Sequence, residues 1–408
     1  MRYPAWRSTR KLLGLTACLT MLLAGAPAQA QRCAPTQSFG AWLEDFKREA
    51  AGAGIARQVI AAALDDVAYD EAIVRKDRAQ GVFAQSFLQF SGRMVAGYRL
   101  QGGAQRIEKN KALFSRIEAD YGVPAPVIVA FWGLETDFGS NTGKDPTLRS
   151  LATLAYDCRR PDMFREQLMA ALKIVQRGDL APHEMIGAWA GELGQTQFLP
   201  THYLEYGVDY DRDGRVDLRR SAPDVLASSA NLLKAHGWRA GEPWLQEVLV
   251  PPQMPWEEAD LTIQHPRSQW VGWGVKAAHG KPLPADAVPA SLLLPMGRNG
   301  PAFLAYQNFA VYTQWNQSLV YSTTAAYFAT RLAGAPPYNK GRAEVPSYGL
   351  QEVRELQLML NRDGYDAGEA DGKLGVQTRQ SIRKAQLKHG LPADAYPSDE
   401  LFARLRER

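Results

Sequence analysis

The stretch Ala125-Pro126-Val127-Ile128-Val129-Ala130-Phe131-Trp132-Gly133-Leu134-Glu135-Thr136-Asp137-Phe138-Gly139 decides how the rest of the chain is read. Pro126 suits the first turn of a helix, where its missing N–H costs nothing. The apolar run after it predicts a helix through Glu135, with Gly139 as the expected cap. Glu135 lies three and seven positions after Trp132 and Ile128 and so shares their face. A carboxyl group among apolar neighbours resists ionisation, holds its proton near neutral pH and can donate it. The blander reading is a helix-end Glu paired with a nearby Arg, and periodicity alone favours that one.

Outward from this helix, Phe39 to about Ala335 reads as mostly helical. Apolar residues fall at helical spacing over Ala41–Ala63, Ile107–Tyr121, Met163–Arg177, Pro223–His236 and Ser322–Leu332. The last opens on Ser322-Thr323-Thr324, a good N-cap cluster. Between Pro243 and Met296 prolines recur, and Leu245–Val250 and Ser291–Leu294 read as strands. The expected fold is therefore mainly α. Residues 31–335 form one domain with an inserted, partly β subdomain, 336–346 form a linker, and 347–408 form a small three-helix domain.

Residues 1–30 read as a processing segment. Arg2, Arg7, Arg10 and Lys11 precede the apolar run Leu12–Gly25, and Ala28-Gln29-Ala30 gives a small-x-small cleavage pattern. The run is short for a bilayer span, so no transmembrane anchor is expected after cleavage. Leu15-Thr16-Ala17-Cys18 is similar to a lipobox, but the apolar region continues past Cys18, so a lipid-anchored form is the lesser expectation. Net charge is +4, and the leader carries all of that excess. A near-neutral mature chain removes the bulk argument for nucleic-acid or membrane-surface binding. Cys33 and Cys158 remain after cleavage. In an exported protein they can form one disulfide; the alternative is two buried thiols.

Four motifs, read in chain order, change the weight on Glu135. Gly133-Leu134-Glu135-Thr136-Asp137-Phe138-Gly139 resembles the catalytic Gly-x-Glu-Thr-x-x-Gly of the lytic murein transglycosylase B family. Thr153-Leu154-Ala155-Tyr156 with Arg159-Arg160 and Phe164, then Ala190-Gly191-Glu192-Leu193-Gly194-Gln195-Thr196-Gln197-Phe198-Leu199-Pro200, then Trp315-Asn316 with Ser318 and Tyr321, resemble its later motifs in order. The resemblance implies a lysozyme-like catalytic domain with Glu135 as the single acid/base. It further implies that Gln197 and Phe198 line sugar subsites and that Asn316 and Tyr321 position the sugar, with Trp315 closing the groove. Arg159 and Arg160 would meet the lactyl-peptide side of the muramic residue, as guanidinium groups bind carboxylates. The bland reading of the Arg pair is a surface pair. One departure stands out: a Ser that family members place two positions before the Ala-Gly is here Ala188, so another group must orient Glu135.

Counting carboxylates gives the expected reaction. Hydrolysing glycosidases use two, whereas the resemblance implies one. Glu135 would cleave the MurNAc–GlcNAc link, and the muramic C6 hydroxyl would close a 1,6-anhydro ring. Were Asp137 or Glu192 a second working carboxylate, a hydrolytic muramidase would result instead. A non-catalytic wall-binding protein is the remaining alternative, and retention of Glu135 beside the other motifs argues against it. Expected partners are peptidoglycan glycan strands and no nucleic acid, the location is periplasmic, and the chain is expected to be a monomer.

Asp209, Asp211, Asp213, Gly214 and Arg215 follow the opening places of a calcium loop. The twelfth place is Arg220, and the family resemblance puts the last ligand at a later acid, here Asp224. A structural Ca2+ is expected and no cofactor for catalysis; a metal-free acidic turn is the alternative. Leu356-Gln357, Leu360-Asn361, Gly364-Tyr365, Asp371-Gly372, Gly375 and Thr378 resemble the common three-helix peptidoglycan-binding domain. Gly372 and Gly375 suit a tight turn that Asp371 and Thr378 would hold.

Overall fold

The computed structural model describes residues 36–79 and 85–407, so the expected leader, Cys18 and Cys33 lie outside the described residues. Cys158 is disulfide-bonded. The helix that carries Glu135 spans Ala125–Thr136, and Val127, Ile128, Val129, Ala130 and Phe131 are fully buried. A helix apolar on every side must be covered on every side. The helices Leu319–Leu332 and Gly97–Lys109 supply much of that cover. The first comes close because its buried positions include Ala325, Ala326 and Ala329.

Ser322-Thr323-Thr324 does not cap that helix. The helix starts earlier, with Ser318 Oγ accepting from the Tyr321 N–H at 3.3 Å. The three later hydroxyls are buried within it and donate to backbone carbonyls, Thr323 to Leu319 at 2.6 Å and Thr324 to Val320 at 2.7 Å. Two other expected helices are broken. Ala41–Ala63 divides into Phe39–Gly52 and Arg57–Leu64 around Gly54, whose φ is +87°. Ile107–Tyr121 divides at Asn110 into the ends of Gly97–Lys109 and Lys111–Tyr121.

A second core lies toward the N-terminus, where Phe39–Gly52 and Arg57–Leu64 pack on Thr147–Tyr156 and Pro161–Arg177. Phe46, Leu151, Phe164, Leu168 and Phe198 fill it. Trp315 packs against both this core and the one around Phe131. The inserted subdomain is an antiparallel five-stranded sheet in the order His265–Pro266, Pro289–Leu293, Ala302–Ala305, Leu245–Leu249, Lys276–Ala277. Leu293 faces Phe303 across one ladder and Leu245 faces Ala305 across another. The central strand Ala302–Ala305 lies beyond the expected β region, because a four-residue apolar run has no periodicity to distinguish it.

Three helices, Leu350–Arg362, Val376–Lys388 and Asp399–Arg406, close on Leu356, Leu360, Ile382, Leu401 and Leu405. Gln357 holds the turn between the first two. Its Oε1 accepts from the Gly372 N–H at 2.8 Å, and its Nε2 donates to Thr378 at 3.0 Å and Asp371 at 3.2 Å. The module is docked through Arg379, a buried guanidinium that donates to the carbonyls of Pro295 at 2.5 Å and Leu294 at 3.4 Å. The segment 336–346 has no regular structure but is anchored. Tyr338 bonds Ser91 at 2.8 Å, and the Arg342 N–H donates to Asn299 O at 2.9 Å. Among the described residues no helix is long and apolar enough to cross a membrane.

Gly133 shows how tightly the central helix is held. A Cβ there would sit 2.9 Å from both the Phe138 and Phe328 rings. Ala gains about 1 kcal/mol over Gly in a helix, but overpacking a filled core costs roughly 1–3 kcal/mol. Gly133→Ala is therefore expected to lose about 1 kcal/mol net, read as a lower Tm; an unchanged or higher Tm would show that the rings have room to move.

Candidate active site

Glu135 sits in the last turn of its helix, immediately before a reversal of the chain. Asp137, Phe138 and Gly139 all have left-handed φ, +54°, +61° and +84°. Asp137, not Gly139, is the residue that ends the helix. Left-handed backbone is costly without Gly, and side chains hold it. Thr136 Oγ1 accepts from the Gly139 N–H at 2.8 Å and donates to Gln195 O. Asp137 accepts from Arg99 Nε at 3.1 Å and Tyr98 OH at 3.4 Å. Asp137 is thereby turned toward the helix Gly97–Lys109, and it does not line the cavity that Glu135 faces.

The Glu135 carboxyl is gripped from one side. Trp315 Nε1–H donates to Oε1 at 2.9 Å, and the Tyr321 hydroxyl donates to the same oxygen. Oε2 has no hydrogen-bond partner among the described residues and is the oxygen left for a ligand. Trp315 is fixed by stacking on Phe131 at 4.2 Å between ring centres and by edge contact with Phe198 at 5.9 Å. These two donors do what the missing hydroxyl at Ala188 could not; Ala188 merely lines the wall. Burial pushes the Glu135 carboxyl up from its ordinary value, against the two hydrogen bonds, which favour the ionised form; the nearby Glu192 charge adds to the rise. Burial also carries the Tyr321 hydroxyl well above its usual range, so it stays a donor.

The cavity in front of Glu135 holds about 420 Å³. Of the residues expected there, Arg160, Gln197, Phe198, Trp315 and Asn316 line it with Glu135, and Tyr321 reaches it through its bond to the carboxyl. Gln197 is held at φ +54°, its Nε2 donating to Gly194 O at 2.9 Å. Asn316 Oδ1 accepts from the Ser318 N–H at 2.9 Å. Arg159 does not line the cavity. Its guanidinium lies 2.8 Å from the buried Asp77, which Arg160 also grips. Asp77, on the helix Glu71–Arg78, thus orients Arg160, and sequence reading missed it because one acid in a charged run carries no local signal. Also missed were Met163, Trp189, His202 and His236. Burial lowers both imidazoles' proton affinity, so they present neutral rings. A larger cavity, about 520 Å³, lies where the terminal module meets the catalytic body, but no Asp or Glu lines it among the described residues.

In the acidic loop, Asp209, Asp211 and Asp213 bring carboxylate oxygens within 4.8 Å of one another. Gly214, at φ +100°, makes the turn, and its N–H donates to Asp209 at 2.9 Å. Arg215 directs its side chain at Asp213 and Asp217. Asp224 stands apart from the cluster. It is buried, and its oxygens accept the N–H groups of Tyr210 and Asp217, each at 2.8 Å. It braces the loop from the Ala222–Ala235 helix. Three hard oxygen donors on a tight turn are a donor set that suits Ca2+.

Comparison with known proteins follows the same lines. Residues 38–330 match the transglycosylase SLT domain family, and residues 350–405 match a peptidoglycan binding domain. The chain is 29% identical over 238 residues to the membrane-bound lytic murein transglycosylase B of Escherichia coli strain K12, covering 58% of this chain and 64% of that protein. SltB3 from Pseudomonas aeruginosa, solved with NAG-anhNAM-pentapeptide, superposes with a TM-score of 0.84 at 41% identity, over 91% of this chain and 100% of that one. The Escherichia coli lytic transglycosylase Slt35, solved with calcium, gives 0.61 at 26% identity, over 71% and 92%. The lysozyme-like fold expected from sequence is thus present, and with a family match that runs from the first described helix to the helix bearing Tyr321, the chain belongs to the transglycosylase SLT family, among the lytic murein transglycosylase B-like proteins.

Proposed function

We propose that the protein is an exported lytic transglycosylase that cleaves the MurNAc–GlcNAc β-1,4 bond of peptidoglycan and leaves 1,6-anhydro-MurNAc ends. The observation that carries this reading is Glu135 itself, a buried carboxyl that lines the cavity, with one oxygen tied to Trp315 and Tyr321 and its proton affinity raised by burial. Protonated Glu135 donates to the glycosidic oxygen as the C1–O bond breaks. The carboxylate so formed is stabilised by the Trp315 and Tyr321 donors. It then takes the proton of the muramic C6 hydroxyl as that oxygen bonds C1, which regenerates the acid and consumes no water. One group suffices because the nucleophile is already part of the substrate. Asp137, tied to Arg99, is out of position to activate a water, which weighs against hydrolysis.

The terminal module would hold the polymer near the catalytic body and raise its local concentration. The periplasm is the proposed location, the compartment in which such a wall is reached. The proposed calcium site comprises Asp209, Asp211 and Asp213, where the ion would fix the turn of a loop that Asp224, on the Ala222–Ala235 helix, braces. Its charge would be structural, since none of these residues lines the cavity of Glu135.

Three outcomes are expected. Glu135→Gln should lower turnover of purified sacculi by about 10²–10⁴ or more, while mass spectrometry of wild-type products shows anhydro-muropeptides; reducing-end products would make the enzyme a hydrolase. Because Glu135 must start protonated and burial raises its pKa, activity should fall only as pH rises beyond the ordinary carboxylate range. Tyr321→Phe removes a bond that favours the anion, so this alkaline limb should move to higher pH while kcat drops about tenfold; a limb that moves to lower pH contradicts the assigned role. Millimolar Ca2+ should raise Tm, by an amount equivalent to about 2.7 kcal/mol at a hundredfold excess over Kd, and Asp211→Asn should abolish the rise.

A further inference from the structure

Glu192 is a second carboxyl in the cavity of Glu135 to which the proposed reaction assigns no task. It is rigidly presented. Its own backbone carbonyl accepts the Ala188 N–H at 3.1 Å, and a Cβ on Gly187 would fall 1.9 Å from that carbonyl. The loop can therefore close only over a glycine. Its side-chain Oε2 is buried. In the same cavity Arg160 commits its terminal nitrogen to Asp77, and among the described residues neither its buried Nε nor Glu192 Oε2 has a partner. Burial pushes the Glu192 carboxyl up, and its own backbone N–H, the Arg160 charge and the Ala190 N–H draw it back, so the two side chains lie within each other's field.

Buried polar atoms without partners are uncommon, and each costs roughly 1–3 kcal/mol. Here one is an acceptor and the other a donor, and both belong to residues that line the same cavity. A secondary amide, which carries an N–H and a C=O in one rigid plane, satisfies both at once. The terminal torsion of a Glu side chain is broad, so turning its oxygens toward the cavity is cheap. Resting on the lytic-transglycosylase reading above, we propose that Glu192 is a specificity-determining residue that accepts the N–H of a substrate amide while Arg160 Nε donates to its carbonyl. The amide could come from the 2-acetamido group of the sugar or from the stem peptide, and the shared chemistry is the same.

Binding measured without turnover separates this inference from the reaction itself. In the Glu135→Gln background, calorimetry would compare Glu192 with Glu192→Leu and Glu192→Gln. The ligands are a peptide-free N-acetylglucosamine oligomer, the same oligomer de-N-acetylated, and a peptide-bearing muropeptide. Leu removes the acceptor and should weaken the amide-bearing ligand about tenfold or more. Gln keeps an acceptor oxygen and should restore affinity to within a few-fold. A loss on the peptide-free oligomer, with none on its de-N-acetylated form, identifies the acetamido group. A loss confined to the muropeptide identifies the stem peptide. Equal affinities for Leu and wild type on both ligands, or a Gln variant as weak as Leu, overturn the proposal. Unchanged Tm across the variants checks that the loop still folds. An enzyme that gave reducing-end products would sink the transglycosylase reading and leave this binding result standing.

Discussion

A carboxyl group that must first give a proton and then take one back has to sit where neither state is strongly preferred. In this protein two opposing influences set that balance on Glu135. Burial at the end of an apolar helix disfavours the anion, and the Trp315 and Tyr321 donors favour it. Either influence alone would fix the group in one state. Together they leave a proton affinity raised from the ordinary carboxylate value but still reversible. Much of the surrounding architecture serves this compromise. The helix is covered on all sides so that it can be apolar, Phe131 supports the Trp315 ring, and Ser318 starts the Leu319–Leu332 helix early enough to bring Tyr321 to the same oxygen.

That last point explains what could and could not be read from the chain. The Glu135 helix and its proline entry follow from a local run of residues, and so do the three helices of the terminal module, with their Gly-rich turn; the role proposed for Glu135 rests on the motif resemblance. Tyr321 and Trp315 were named from a motif, but their joint grip on Oε1 depends on where the last helix begins. The sequence offered a stronger-looking cap that begins four residues too late. Ser322, Thr323 and Thr324 look like cap residues because hydroxyls favour helix starts, yet inside a helix the same hydroxyls can bond back to carbonyls. Gly54 and Asn110 similarly broke helices that apolar spacing ran together. Spacing reports which face is covered and is silent on whether the backbone is continuous.

Residues that act through another residue were the least legible. Asp77 turns out to fix the arginine pair, and it fixes them unequally: Arg160 reaches the cavity while Arg159 does not. The sequence distance between acid and base is more than eighty residues, and no periodicity spans it. Asp224 illustrates the converse. Its place was read from a loop pattern, and the pattern gave no sign that its oxygens accept backbone N–H groups of the loop.

Trp315 touches both hydrophobic bodies of the catalytic region, one around Phe131 and one around Phe198. Phe131 and Glu135 lie on one helix, so the indole that bonds the acid is stacked on the acid's own element and meets the other body by its edge at Phe198. A change of packing on the Phe198 side therefore reaches the acid through a single ring.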